Sequence, residues 1–434
     1  MVGDIQGLAK IPELKRRLLV TFVLLAVYRI GAHVPVPGVD AGALADFFNR
    51  GQGNLLGLVD MFAGGALRRM SVFALGIMPY ISASIILQLL TVVVPTLEKL
   101  SKEGEQGRKK ITQWTRYGTV VLAVVQGFGI AVGLENMAPN GVSVVLSPGF
   151  GFRLLTVITL AAGTAFIMWL GEQITERGIG NGISLIIFAG IVAGLLPAAA
   201  NTFRLVGAGQ LNVLLVILLL VVMVGVIFAI VFVERSQRRI PVQYAKRVVG
   251  RKVYGGQSTH LPLKLNTAGV IPPIFASSLL MFPTTIGQFF EHPWIRTVTD
   301  MLLPGRVLHD ILYVVLIFFF AYFYTAVTFN PVDVAENMKK YGGYIPGIRP
   351  GQKTAEYIDK VLSRLTFWGA LYVSTICVLP TLMITWFNVP FYFGGTGLLI
   401  VVGVAIDTVA QIETHLITRH YEGLIGARRI RGRR

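Results

Sequence analysis

Ten long apolar stretches recur along this chain of 434 residues, and they limit what it can fold into more than any other feature. A helix needs about 20 mostly apolar residues to cross the roughly 30 Å hydrocarbon core of a bilayer. The composition also favours a membrane protein, because only 14% of the residues are charged, against about 25% in soluble domains. The sequence therefore predicts an all-α integral membrane protein with ten spans, at residues 18–36, 71–94, 117–137, 152–171, 183–200, 211–233, 268–290, 308–329, 366–388 and 397–417.

Lysine and arginine are distributed unevenly between the two sides of these spans. Of the 39 basic residues, 31 lie in the tails and loops of one side, 7 lie in the alternate loops, and Arg29 lies inside the first span. Positive charge collects on the cytoplasmic side of membrane proteins. The asymmetry predicts that the N-terminal tail 1–17 and the basic tail 418–434 are both cytoplasmic. Arg29 lies toward the outer end of its span, where it can snorkel to the interface.

Ionisable residues are scarce in the middle of the predicted spans. Pumps and ion-coupled transporters keep such residues there, because ion relay depends on them. The glycine-rich run Gly178–Gly182 lacks the lysine of a phosphate-binding loop and indicates only a tight, flexible connection before the fifth span. Cys377 is the only cysteine. The sequence thus argues against an enzyme, a cofactor and a self-powered pump, while a secondary transporter and a structural membrane protein remain alternatives.

Residues 54–70 are neither a span nor an ordinary loop. They are too rich in glycine and polar residues to cross a membrane, yet too apolar for a solvated loop. Irregular backbone at membrane depth is tolerated where it is buried in protein. A half-helix that dips back into the protein fits this composition, and a surface amphipathic helix fits it equally well.

Two segments on the basic side, 234–265 and 330–365, are longer than the topology requires. In the first, basic residues are interleaved with tyrosines. Such a surface can bind phosphate backbones, with an affinity that falls steeply with salt. The alternative is that these charges only set the orientation of the chain.

Several motifs resemble those of the SecY family of protein-conducting channels, and they follow the family's order along nearly the whole chain. They are Gly76–Ile85 in the second span, Gly171–Gly182 before the fifth, Tyr244–Arg247 and Ser258–Lys264 in the first long basic segment, Gly347–Gly351 in the second, and Phe391–Thr396 before the tenth span. The resemblance implies two inverted-repeat halves, 18–200 with spans one to five and 211–417 with spans six to ten. These halves would close like a clamshell around an hourglass pore.

The resemblance further implies a ring of aliphatic side chains at the narrowest point of the pore. The matching positions are Ile81, Ile85, Ile187, Ile191, Ile274 and Ile400. The first four form two pairs with a spacing of four residues, so each pair shares one helix face. Segment 54–70 would then be a re-entrant plug that fills the outer funnel at rest. The residues near its core would be Phe62, Gly64, Gly65 and Leu67.

The same resemblance implies partners and a location. A lateral exit for signal peptides and nascent transmembrane segments would lie between spans two and three on one side and seven and eight on the other, with Gln88 and Gln126 as polar candidates along it. The small membrane subunits SecE and SecG would accompany the channel in the bacterial inner (plasma) membrane. The SecA ATPase and the translating ribosome would dock on the basic segments, at Arg349 first and then at Arg247, Arg251 and Lys252.

Overall fold

The backbone of the computed structural model packs as two units. The first comprises residues 1–210, 278–304 and 404–434, and the second comprises 211–277 and 305–403. The boundary after residue 210 falls in the predicted loop between the fifth and sixth spans. The residues that the structure describes are 12–40, 42, 44, 60, 63–136, 144–209, 212–244, 247–249, 252–254, 258–287, 294, 297–298, 301–302, 306–387 and 395–427.

The first unit is mainly helical where it is described. Its helices are α1 (Pro12–Gly31), α2 (Met78–Val93), α3 (Pro95–Lys102), α4 (Glu105–Asn136), α5 (Phe150–Arg177) and α6 (Gly182–Gly207). α2 and α3 meet at a bend of 100°. The bend falls at Pro95, which has no amide hydrogen to donate to the preceding turn and therefore cannot continue a helix without a break.

The second unit combines apolar helices with short strands. Its helices are α7 (Val213–Arg235), α8 (Ile271–Gly287), α9 (Val307–Thr328), α10 (Pro331–Lys340), α11 (Gln352–Phe387) and α12 (Gly395–Ala427). Its strands are β1 (Gln237–Tyr244), β2 (Arg247–Val249), β3 (Lys252–Tyr254), β4 (Ser258–Lys264) and β5 (Gly343–Tyr344). α8 and α12 begin in this unit and pass into the first unit at residues 278 and 404.

Seven helical stretches in the described chain are long and apolar enough to cross a membrane. They are α4, α5, α6, α7, α9 with α10, α11 and α12, and the bent pair α2–α3 makes an eighth. α8 is a shorter apolar helix, and α1 carries a basic cluster at Lys15–Arg17 and a further charge at Arg29. The prediction of a helical membrane protein is confirmed, whereas the count of ten spans stays a prediction.

The predicted second and seventh spans differ from the helices observed. Residues 71–77 form a bridge and turns, so α2 begins only at Met78. Pro79, Pro272 and Pro273, which fall within these two predicted spans, all lie in the first turns of α2 and α8. Proline is tolerated there because the first amide groups of a helix have no partner within it.

The core of the first unit lies where α4 and α5 pack against the segments that follow α1 and precede α2. The amide of Val36 donates to the carbonyl of Met70 at 2.8 Å, and the amide of Val72 donates to the carbonyl of Val34 at 2.9 Å. These bonds hold the two segments side by side. The buried side chains of this core are Val36, Leu44, Leu67, Met70, Ala74, Leu75, Ala123, Ala131, Leu134, Val144, Val145, Phe152 and Leu160.

Gly163 on α5 lies directly against the backbone of Val72, and a Cβ atom there would overlap the Val72 carbonyl group. Gly163→Ala is therefore expected to destabilise the protein by about 1–3 kcal/mol, as overpacking of a core does. The measurement is the thermal unfolding midpoint in detergent. Gly194→Ala on α6 is the matched control, because no atom beyond the neighbouring backbone of its own helix lies within 4 Å of the added methyl group. An unchanged midpoint for Gly163→Ala would contradict the packing described.

The two long basic segments fold together in the second unit. β1 pairs antiparallel with β4 and with β5, and β5 belongs to the second basic segment. The strand order is β4-β1-β5. A small core joins strands and helices through Ile240, Val242, Leu263, Met338, Ile345 and Ile358. Much of the two basic segments is thus strand or helix, and the two segments form one structured surface.

Candidate pore and plug residues

Ile81 and Ile85 lie one turn apart on α2, and both are buried within the first unit. Ile86, on another face of the same helix, is 49% exposed. α2 therefore has one face packed against protein and another that is free to contact lipid. The predicted pairing of Ile81 and Ile85 on one helix face is confirmed, and that face is the buried one.

Ile187 and Ile191 form the corresponding pair on α6. The helix begins after Asn181, whose side-chain oxygen accepts hydrogen bonds from the amides of Ile183 and Ser184 at 3.1 and 3.4 Å. Both isoleucines are buried within the first unit. The pairing of these two residues on one buried face is confirmed as well.

Ile274 on α8 and Ile400 on α12 are the two predicted ring positions of the second unit. Both are buried in the chain, and none of the six predicted ring residues is more than 7% exposed. An isoleucine that faced only lipid would be exposed in the chain by itself. The burial therefore excludes a lipid-facing position for all six, while their role as a ring stays a prediction.

The end of the predicted plug segment is described at Asp60 and Ala63–Met70, and Phe62 lies outside the described residues. Ala63–Met70 forms turns. Gly64 and Gly65 have φ angles of +67° and +81°, which a helix does not contain. The predicted half-helix is therefore wrong for this part of the segment.

Leu67 fixes this end of the segment in the core of the first unit, where it is buried with Met70 and Phe152. A carboxylate oxygen of Asp60 accepts a hydrogen bond from the amide of Arg68 at 2.9 Å. Ala63–Met70 is thus packed against the first unit and is not a solvated loop.

Two neighbouring side chains of α1 bind the backbone of the predicted plug segment. The Tyr28 hydroxyl donates to the carbonyl of Ala63 at 3.3 Å. Nη1 of Arg29 donates to the carbonyl of Gly64 at 2.9 Å. Tyr28 is buried and stacks on Phe73 with 6.0 Å between ring centroids. Arg29, predicted to snorkel to the interface, is instead half-buried and hydrogen-bonded within the protein.

The glycine-rich run Gly178–Gly182 is tied to two other helices. The amide of Ile179 donates to Oγ1 of Thr21 on α1 at 3.0 Å, and the amide of Gly180 donates to Oε1 of Gln411 on α12 at 2.9 Å. The connection is tight, as predicted. Side chains of two other helices accept hydrogen bonds from these backbone amides, whereas the predicted flexibility stays a prediction.

Gln88 on α2 and Gln126 on α4 are both half-buried. Nε2 of Gln88 donates to Oγ of Ser84, one turn away on the same helix, at 3.2 Å. This bond within one helix satisfies one donor of the side-chain amide of Gln88, and no group from a neighbouring helix takes part in it. A role for either glutamine at a lateral exit stays a prediction.

Arg349 is exposed in the turns between β5 and α11. Its backbone carbonyl accepts a hydrogen bond from Oγ1 of Thr354 at 3.0 Å. This bond anchors the backbone and does not involve the guanidinium group. Arg247 and Lys252 lie on the paired strands β2 and β3, and Arg251 lies outside the described residues. The two basic segments meet in the sheet β4-β1-β5, whereas Arg247 and Lys252 belong to the separate pair β2-β3. Arg349 lies on an accessible turn.

Comparison with known proteins now decides the family. The SecY family model matches residues 71–409. The protein translocase subunit SecY of Escherichia coli strain K12 is 55% identical over 424 residues, which are 97% of this chain and 96% of that protein. The chain belongs to the SecY family. The SecY subunit of Aquifex aeolicus is 48% identical over 423 residues, which are 97% of this chain and 99% of that protein.

Solved structures of SecY and Sec61 channels share the fold. A protein-conducting channel superimposes with a TM-score of 0.65 at 18% identity, over 98% of this chain and 99% of that chain. A SecY channel whose plug domain stabilises the closed state superimposes at 0.66 and 21% identity, with the same coverage. Sec61 from a canine ribosome–channel complex gives 0.63 at 17% identity, again with the same coverage.

These comparisons confirm the family predicted from the motifs and the helical channel fold. They also confirm protein translocation as the function, since the SecY relatives are named protein translocase subunits. That name agrees with a channel rather than an enzyme.

Tyr28 was missed in the sequence analysis as a contact of the predicted plug segment. Arg29 was named there, but its binding to the same segment was missed. The available signal was an arginine inside an apolar span, because such a charge is costly unless a partner compensates it. Gln411 was missed as well. Its partner is the backbone amide of Gly180, and the sequence does not show which backbone amide a side chain will bind.

Proposed function

We propose that this SecY-family chain is the central, pore-forming subunit of the translocase. Its resting pore is closed by the ring of Ile81, Ile85, Ile187, Ile191, Ile274 and Ile400. The observation that supports this most directly is that all six are 7% exposed or less, on helices whose other faces expose large apolar side chains such as Ile86.

An aliphatic ring suits a channel that must pass many different polypeptides. A narrow apolar constriction dewets and so excludes ions without a rigid gate. Isoleucine makes no directional bonds, so the ring closes around peptides of any sequence. The same ring seals the pore at rest and adapts during transport.

The plug segment 54–70 covers this constriction from the outer side in the resting state. The turns at Ala63–Met70 support this role, because they place Gly64 beside the first helix and Leu67 in the core. Small residues at this end permit close packing and subsequent release. Phe62 belongs to the same proposed plug.

Two halves, 18–200 and 211–417, open as a clamshell to release transmembrane segments into lipid. The lateral exit runs between spans two and three and spans seven and eight. Gln88 and Gln126 line it, where polar groups ease the passage of signal peptides. The small subunits SecE and SecG accompany the chain in the complex.

The chain resides in the bacterial inner membrane with both termini in the cytoplasm. The distribution of basic residues supports this orientation, because 31 of 39 lie on one side. The paired basic segments then face the cytoplasm, where they meet SecA and the ribosome. Sec61 and Ssh1 channels have been solved in complex with ribosomes, which supports the same mode of docking here.

The direct test of the proposed function is reconstitution with SecE, SecG and SecA in lipid vesicles. A secretory precursor should become protected from external protease in a reaction that requires ATP and this chain. Precursor that stays fully accessible would reject the proposal.

Charge reversal at Arg349 is expected to reduce SecA-driven translocation by about tenfold or more. Juxtaposed like charges at an interface cost several kcal/mol, and each 1.4 kcal/mol is a factor of about ten. Arg349→Glu should leave the thermal midpoint unchanged, because the residue is exposed and the bond from Thr354 uses only its backbone.

Arg306→Glu is the matched control for this reversal. Arg306 is also exposed, but it lies in a predicted loop of the opposite side, so the same change of charge should leave translocation intact. Full activity of Arg349→Glu, or an equal loss in both variants, would reject Arg349 as a docking contact.

A further inference from the structure

Neighbouring residues of α1 bind neighbouring carbonyls at the end of the plug segment. The neutral Tyr28 hydroxyl reaches Ala63 at 3.3 Å, and the charged Arg29 guanidinium reaches Gly64 at 2.9 Å. Carbonyls in irregular backbone at membrane depth need donors from the protein, because lipid supplies none. A bond from a charged donor is stronger than one between neutral groups, so Arg29 makes the principal contact.

The position of Gly64 is defined closely from two sides. A Cβ atom on Gly64 would lie 2.8 Å from Cα of Gly190 on α6 and 3.1 Å from Nη1 of Arg29. With its φ of +67°, this position accommodates only glycine. Gly190 directly precedes Ile191, so the end of the plug segment is held beside the part of α6 that carries ring positions.

The two donors differ in how firmly they are held. Tyr28 is buried and stacks nearly parallel on Phe73, at an interplanar angle of 9°, so its hydroxyl is preoriented. Arg29 is half-buried on a long side chain. A charge inside a membrane helix is expensive, and the Gly64 carbonyl compensates it only while the plug segment stays in place.

We propose that Arg29, supported by Tyr28, is a latch that holds the plug segment in its resting position. This inference rests on the proposed role of residues 54–70 as the plug. The guanidinium–carbonyl bond forms in the closed state and breaks when the segment moves away, so it widens the free-energy gap between the closed and open states. Arg29 acts as a positioning residue and needs no contact with the transported chain.

The test is the resting ion conductance of the complete translocase in planar bilayers, without SecA or precursor. Arg29→Met keeps the length and apolar contacts of the side chain but removes its donors. We expect the open fraction to rise about tenfold, which corresponds to a loss of about 1.4 kcal/mol. Arg29→Lys retains a donor and should conduct like wild type. Tyr28→Phe keeps the ring on Phe73, removes the weaker bond and should leak less than Arg29→Met.

Arg204→Met is the matched control, because Arg204 is an exposed arginine on α6. It should leave the resting conductance unchanged. Thermal midpoints and translocation of a normal precursor should stay close to wild type in every variant, which separates a released latch from a damaged fold. Wild-type conductance in Arg29→Met, or a lysine variant as leaky as the methionine variant, would overturn the latch. If Arg29→Met does not fold, wild-type conductance in Tyr28→Phe would overturn it.

A linker variant distinguishes failure of the latch from failure of the plug. In this variant, a Gly-Ser sequence of equal length replaces residues 54–62. A leak from the linker variant with none from Arg29→Met rejects the latch and keeps the plug. No leak from either variant rejects the plug, and the latch with it.

Discussion

Replacing Ile400 with asparagine is expected to let precursors with defective signal sequences cross the membrane. Ile400 is fully buried on α12, and an amide there is costly to bury and draws water into the constriction. Loss of the apolar contacts costs the closed state about 2 kcal/mol, or about 30-fold in the closed-to-open ratio. Protease protection of such a precursor in vesicles measures the effect. Ile274→Asn should act in the same direction.

Leu399→Asn separates a ring effect from general damage to the core. Leu399 directly precedes Ile400 and is equally buried, but successive residues of a helix point about 100° apart. We expect Leu399→Asn to lower stability without passing defective precursors. Equal passage in both variants, or none in Ile400→Asn, would count against the ring.

Loss of the plug is expected to raise the resting ion leak by a larger factor than any single substitution. The replacement of residues 54–62 by a Gly-Ser linker is preferable to a deletion of 58–68. Such a deletion would remove Leu67, which is buried in the core of the first unit, and the Gly64 carbonyl that Arg29 binds. The linker keeps both. Conductance in planar bilayers, without SecA or precursor, gives the result.

A second Gly-Ser linker, in place of residues 137–143, controls for the presence of foreign sequence in a connecting segment. It should leave the resting conductance at the wild-type level. If the 54–62 linker variant also conducts like wild type, segment 54–70 is not a plug, and the seal depends on the ring alone.

Hydropathy located the apolar helices well but not their ends. α4 begins at Glu105, well before the predicted 117, because charged residues propagate a helix without adding to hydropathy. The opposite error occurs before α2, where residues 71–77 are apolar but form a bridge and turns. A buried segment needs apolar side chains whether or not it is helical, so composition does not separate the two cases. The joint sheet of the two basic segments was missed because strand pairing across about 100 residues of sequence has no local signal.

In the candidate site, too, some features could be predicted from the sequence and others could not. The spacing of the isoleucine pairs is a local property, and the helices reproduce it. The choice of those isoleucines among many required the family resemblance, because an isoleucine in a span has no feature that marks a pore. The contacts of Arg29 with Gly64 and of Gln411 with Gly180 depend on backbone groups. Every residue carries such groups, so the side chain that will bind a given one cannot be chosen from sequence.

The bond between Gly180 and Gln411 joins positions 231 residues apart in the chain. During synthesis, the turn at Gly178–Gly182 is complete long before its partner on α12 has been made. Until α12 has been inserted, the amide of Gly180 has no side-chain acceptor and is either unsatisfied or hydrogen-bonded to water. Final assembly of the first unit is therefore a late step in biogenesis. A nascent protein that stalls before Gln411 lacks the side-chain acceptor for the amide of Gly180.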